Sequence, residues 1–142
     1  MNVNPNNGRI LIAAGISGAI AVILGAFSAH GLEDYLLNAG LDDETTSRRL
    51  SQFETGVRYH LLHSILILSL AALPIQSVKA KRRLCLLIGL GCVLFSGSLY
   101  LLVFLNLPIL GAITPLGGLS WIVGWCWIAW IGKTQLSCPP AI

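Results

Sequence analysis

The chain has 142 residues, 55% of them hydrophobic and only 11% charged, with a formal net charge of +3 and a mean hydropathy of +0.77. So few charges cannot cover the surface of a soluble domain of this size, and without a basic cluster interleaved with aromatics the positive charge offers no nucleic-acid surface. At about 20 residues per span, the length accommodates four or five membrane helices at most.

Residues 1–8, rich in asparagine, predict a disordered lead, followed by a membrane domain over 9–133 and a short tail at 134–142. The first span is expected at 10–30, behind Arg9. Ala26-Phe27-Ser28 at its end would also suit a cleaved signal peptide, but the apolar run exceeds the roughly 7–15 residues of such segments. Ser17, Ala21, Gly25 and Ala29 recur every four residues. In lipid, where apolarity does not drive one helix onto another, such a small-residue face allows close backbone approach.

From His30 to Gly56 the chain turns polar and carries all six acidic residues. Asn38-Ala39-Gly40 predicts a helix stop, and Asp42 or Asp43 a cap for a short amphipathic helix in this first loop, with Leu50, Phe53 and Val57 as its apolar stripe. The next span must begin early. Leu61 to Leu73 alone is too short to cross, so the helix start is drawn back to give a span at 57–76. Arg58, His60 and His63 are thereby carried below the lipid surface, where ionisable groups face protein or water. Glu54 stands four residues before Arg58, the favourable order for a helical ion pair, and Tyr59 four before His63.

After Pro74 comes the basic run Lys79-Ala80-Lys81-Arg82-Arg83, then a third span at 84–105 with small residues Gly89, Cys92, Ser96 and Gly97. An uncharged connection leads to Thr114-Pro115, an N-cap followed by proline at the first helical position, and to a fourth span at 115–132 that holds all four tryptophans, read as packing and interface residues. The expected architecture is all-α: a four-helix polytopic membrane domain with one short loop helix. Arg9, Lys79, Lys81, Arg82, Arg83 and Lys133 fall on one side and Arg48, Arg49 and Arg58 on the other, which places both termini in the cytoplasm. Cys85, Cys92 and Cys126 lie in apolar runs and Cys138 in the tail, without zinc-ligand spacing. A single cysteine near a helix end, Cys138, is very weak evidence for acylation.

Four ordered motifs, Gly25-Ala26-Phe27-Ser28-Ala29-His30-Gly31-Leu32, Phe53-x-Thr55-Gly56-x-x-Tyr59-His60-x-x-His63, Phe95-Ser96-Gly97-Ser98-Leu99-Tyr100 and Ile113-Thr114-Pro115-Leu116-Gly117-Gly118, resemble the YgdD-like family. This is a family of small bacterial inner-membrane proteins of unknown function (domain of unknown function 423), related to eukaryotic transmembrane protein 256. The resemblance runs from about Arg9 to Lys133, with Ser28 where that family is expected to carry glycine. It implies a four-helix protein of the bacterial inner (plasma) membrane, and it implies no reaction, cofactor or catalytic residue.

An antiparallel first pair of spans is expected to bring His30, at the end of one, to the face holding His60 and His63 at the start of the other, with Glu33, Glu54, Arg58 and Tyr59 near them. Such a cluster suits a polar clasp that fixes the hairpin, a metal, haem or quinone site, or a proton or solute path; the clasp is preferred, and no cofactor is assigned. Serines without an elbow or triad context and glycines without a phosphate loop argue against catalysis. The expected function is that of a non-enzymatic helix-packing or partner-binding membrane protein. Its partners would be the bilayer and a second copy or another membrane protein. The alternative is a small redox, metal-binding or transport component using the histidines.

Overall fold

A computed structural model describes residues 5–73, 75 and 77–136, with the side chains of residues 5, 6 and 136 left aside. The Pro74 break, Cys138 and the end of the expected tail lie outside these residues. The described chain is helical throughout: α1 (Pro5–His30), α2 (Leu32–Asn38), α3 (Asp43–Ala72), α4 (Val78–Gly91), a π-helical segment (Cys92–Gly97), α5 (Ser98–Leu105), a 3-10 turn (Pro108–Ala112) and α6 (Thr114–Leu136). α4, the π segment and α5 form one continuous rod. Among the described residues three stretches, Asn7–His30, Val78–Leu105 and Pro108–Gln135, are by length and composition long and apolar enough to cross a membrane.

α1 already begins at Pro5, within the stretch expected to be disordered. Proline is tolerated at a helix start, and Asn7 Oδ1 in that first turn lies 3.5 Å from Lys81 Nζ. α2 stops as the sequence suggests: Gly40 takes a left-handed φ of 83°, and the amides of Gly40 and Leu41 return to the carbonyls of Leu37 and Leu36, the Schellman closure of a helix end. Asp42 then caps α3, its carboxylate accepting from the Thr45 amide at 2.8 Å.

The larger correction concerns what Asp42 caps. No separate loop helix starts there. α3 runs unbroken for 30 residues, from the polar loop deep into the apolar region, and the short loop helix is α2. Gly56 is no break in it. A Cβ at this position would stand 3.0 Å from Tyr100 Cε1 and 3.5 Å from the Ser96 carbonyl, so Gly56 serves the close approach of α3 to the π segment and α5.

α1 packs antiparallel along α3, α4 pairs with α6, and α3 joins the two pairs through the π segment and α5. Phe27 meets Phe53 at one end, while Ile10 and Ala14 share a cluster with Leu70 and Ala71 at the other. α3 therefore lies beside α1 over nearly its whole length. Two cores result. Near the acidic loop Leu32, Leu36, Phe53, Tyr100, Leu102 and Val103 are buried together; near the basic loop Ile67, Leu70, Leu84, Ile88 and Trp121 are. The π segment sits between them, where Gly117 brings α6 against the Phe95 backbone. Ser98 Oγ donates to the Phe95 carbonyl there at 2.9 Å, taking up an acceptor in the widened turn.

Of the four tryptophans only Trp121 is buried, 4% exposed, whereas Trp125 is 53% exposed and Trp127 packs partly buried against the same core. Trp121 Nε1 donates to the Ile88 carbonyl at 3.0 Å, a partner that a buried indole requires.

Candidate functional site

The seam between α1 and α3 is built from Ala14, Ser17, Gly18, Ala21 and Gly25. Ala21 is fully buried, and a Cβ on Gly25 would stand 3.2 Å from Val57 Cγ1. Ala29 leaves the seam and is exposed, while Ser28 is half-buried. A four-residue step overshoots the 3.6-residue turn, so a strict i+4 series drifts around the helix until its last member faces outward. The small-residue face is thus covered by α3 of the same chain.

On this seam Ser17, His60 and Ser64 meet, joined from α5 by Tyr100. Ser17 Oγ lies 3.0 Å from His60 Nε2 and 2.6 Å from Ser64 Oγ, and His60 Nδ1 lies 3.2 Å from the Tyr100 hydroxyl. The direction of the chain follows by elimination. Ser64 gives its proton to the His60 carbonyl at 2.8 Å, so Ser17 must donate to Ser64, His60 Nε2–H to Ser17, and the Tyr100 hydroxyl to Nδ1. Each group is satisfied, and three helices are tied together. A serine nucleophile needs the reverse polarity, with the imidazole accepting from the hydroxyl; here the bonds run the other way and join α1, α3 and α5.

The other expected members stand apart. His60 faces Ser17, thirteen residues from His30 along α1, a rise of about 20 Å. His30 and Glu33 are exposed near the acidic loop, and Glu54 and Arg58 are exposed on α3 without an ion pair between them. His63 turns toward α6 instead. It is 6% exposed, its ring is stacked 3.7 Å from Trp121 with Tyr59 beyond, and its Nδ1–H donates to the Tyr59 carbonyl at 2.8 Å. His63 Nε2 is buried without a partner. The three imidazoles therefore do not converge, and among the described residues no group of three His, Cys, Asp or Glu side chains is placed to hold a metal ion.

His60 and Ser17 also close the inner end of a groove of about 1000 Å³ between α1 and α4, with α3 as its floor. Its walls are apolar, with small residues such as Ala13, Ala71 and Gly89 beside Ile67 and Leu86, and its other end is lined by Arg9, Lys81 and Arg82. Lys81 is 8% exposed. Its ammonium donates to the Leu73 carbonyl at 2.9 Å and the Ala71 carbonyl at 3.4 Å, capping the end of α3. Arg9 and Arg82 are exposed. Reading the basic run for orientation alone missed Lys81; the available signal was a lysine at helical spacing from Leu84 and Ile88, on the buried face of α4. Tyr100 and Ser64 were missed as clasp members, although Tyr100 is a polar aromatic within an apolar rod.

A family described as "Protein of unknown function (DUF423)" matches residues 24–118. The chain is 38% identical over 120 residues to the UPF0382 membrane protein YwdK of Bacillus subtilis, covering 83% of this chain and 90% of that one. It is 34% identical over 122 residues to a UPF0382 membrane protein of Haemophilus influenzae, covering 86% and 91%. To the UPF0382 inner membrane protein YgdD of Escherichia coli it is 37% identical over 123 residues, covering 82% of each. No solved structure matches the chain. With its helical fold, its apolar rods and these relatives, the chain belongs to the DUF423 (UPF0382) family of membrane proteins.

Proposed function

We propose that the protein is a non-enzymatic binding protein of the cytoplasmic membrane, and that its working part is the groove between α1 and α4, which takes up an amphiphile from the bilayer. α3 crosses together with α1, giving four spans, and the six basic residues on the side of Arg9 and Lys79–Arg83 keep both termini in the cytoplasm. The observation that carries the reading is the shape of the groove. It holds about 1000 Å³, at the upper end of ligand-sized sites, and is apolar along its length and polar at both ends. Self-association through Ser17, Ala21 and Gly25 is less well supported, because α3 already occupies that face.

The test is ligand retention. Protein extracted in mild detergent and examined by native mass spectrometry is expected to keep one lipid-sized adduct per chain. Gly89→Trp, where nothing lies within 4 Å of a new Cβ, should fill the groove and abolish the adduct. Ile122→Trp on an exposed face of α6 should not. Equal retention by all three proteins refutes the reading.

A further inference from the structure

We propose that the basic end of the groove holds the phosphate of an anionic phospholipid, drawn from the leaflet on that side, with one acyl chain lying in the groove. The inference rests on the groove being an amphiphile site and names the ligand's class.

Charge argues first. Arg9, Lys81 and Arg82 line one end, while all six Asp and Glu side chains lie between Glu33 and Glu54, toward the other end of α3. Lys81 adds a second, independent observation. Its nearly buried ammonium is held by neutral oxygens only, the carbonyls of Ala71 and Leu73 and, at 3.5 Å, Asn7 Oδ1. A buried cation is ordinarily paired with an anion, and among the described residues no carboxylate pairs with Lys81. Two guanidiniums on the rim supply the planar donors that suit phosphate. Basic pockets between membrane helices at the cytoplasmic surface are where anionic headgroups bind.

Depth argues second. From Arg9 to Ser17 the α1 wall rises about 12 Å, and from Lys81 to Val93 the α4 wall rises about 18 Å. Half of a hydrocarbon core is about 15 Å. The groove thus runs from one membrane surface to the middle and stops at the Ser17–His60 clasp. A single-leaflet lipid chain fits that depth, and a ligand crossing the membrane does not.

The experiment is a competition, read by native mass spectrometry of the full chain in detergent, between phosphatidylglycerol and phosphatidylcholine with identical acyl chains. Wild type is expected to prefer the anionic lipid. At about fivefold per basic residue near the headgroup, R9Q/R82Q should lower that preference roughly 25-fold and leave phosphatidylcholine binding unchanged. K79Q/R83Q, equal in charge but outside the groove, should keep the preference. Equal binding of the two lipids by wild type overturns the anionic site, as does an equal loss in K79Q/R83Q. If G89W still blocks both lipids in those cases, the groove stands and only its anion specificity falls. If G89W blocks neither, the groove itself is wrong and this inference falls with it.

Discussion

The two ends of the bundle are made by the same helices and solved in opposite ways. At the acidic end large rings fill the space: Phe53 packs 4.8 Å from Tyr100 and 5.5 Å from Phe104, Tyr35 lies 5.9 Å from Phe104, and Leu32 and Phe53 are fully buried. At the basic end α1 and α4 face each other with Ala13, Ser17 and Gly89, and the space between them stays open. Cohesion in a membrane comes from packing and hydrogen bonds rather than from expelling water. The ring cluster therefore closes the acidic end, whereas at the basic end the core around Leu70, Leu84 and Trp121 lies to one side and leaves the α1–α4 face free to take a ligand.

The strongest way to break this comparison is to truncate one residue at each end. Phe53→Ala removes the centre of the aromatic cluster and should destabilise the protein by about 3–5 kcal/mol, read as a lower unfolding midpoint in a denaturing-detergent titration. Leu86→Ala, on the groove wall and 63% exposed, should fall within about 0.5 kcal/mol of wild type. Equal losses would mean that the groove end carries as much of the stability as the ring cluster.

Glycines sharpen the same contrast. A Cβ on Gly117 would run into the backbone nitrogen and Cα of Phe95, atoms that cannot rotate away, so Gly117→Ala should cost about 1–3 kcal/mol by overpacking. Gly89 meets nothing within 4 Å. Gly89→Ala should be neutral or gain up to roughly 1 kcal/mol, since alanine favours the helix. Thermal midpoints of the two variants should move in opposite directions or differ clearly in size.

His60 belongs to both ends, closing the groove while tying α1 and α3 to Tyr100 of the ring cluster. His60→Leu removes the acceptor of the Tyr100 hydroxyl and leaves Ser17 with Ser64 alone, and should cost about 1–2 kcal/mol, since two interhelical hydrogen bonds of roughly 0.6–1 kcal/mol each are lost. A paired Tyr100→Phe/His60→Leu variant should lose less than the sum of the single changes, whereas strict additivity would show that the two groups are not coupled.

Much of this was legible from residue order because membrane thickness and capping chemistry act locally. The apolar runs, the stop at Gly40, the Asp42 cap and the entry of His60 and His63 among the helices all follow from neighbours in sequence. What failed depended on how helices meet. The separate loop helix expected after Asp42 is the start of α3 itself, and Gly56 within it is a contact point that only Tyr100 and Ser96 across the interface reveal. His30 was expected beside His60, but α3 is already buried at Thr46 and Arg49, and Val57 lies against Gly25 rather than His30, which moves His60 down to Ser17. Ala29 was lost to helical drift that a four-residue repeat conceals. The groove was invisible for a related reason: Ala13, Gly89 and Lys81 lie on different elements, and an empty space has no residue of its own to announce it.

The smallest effect compares the two helix caps that begin at opposite ends. Asp42 caps α3 with a carboxylate, and Ser77 caps α4 with a hydroxyl donated to by the Ala80 amide at 3.2 Å. The Thr45 amide, then the Thr45 hydroxyl, holds the Asp42 carboxyl below its ordinary value of 3.8. A depressed folded value means that the cap's contribution is complete above the ordinary pKa and is lost as pH falls through the depressed one. Amides in the first turn of α3 should therefore exchange faster with solvent under acid, after correction for intrinsic rates, while those in the first turn of α4 should not respond. Asp42→Ser should keep the cap and remove the acid response. A first turn of α4 that loosens in step with that of α3 would point to a global acid transition and erase the distinction between the two ends.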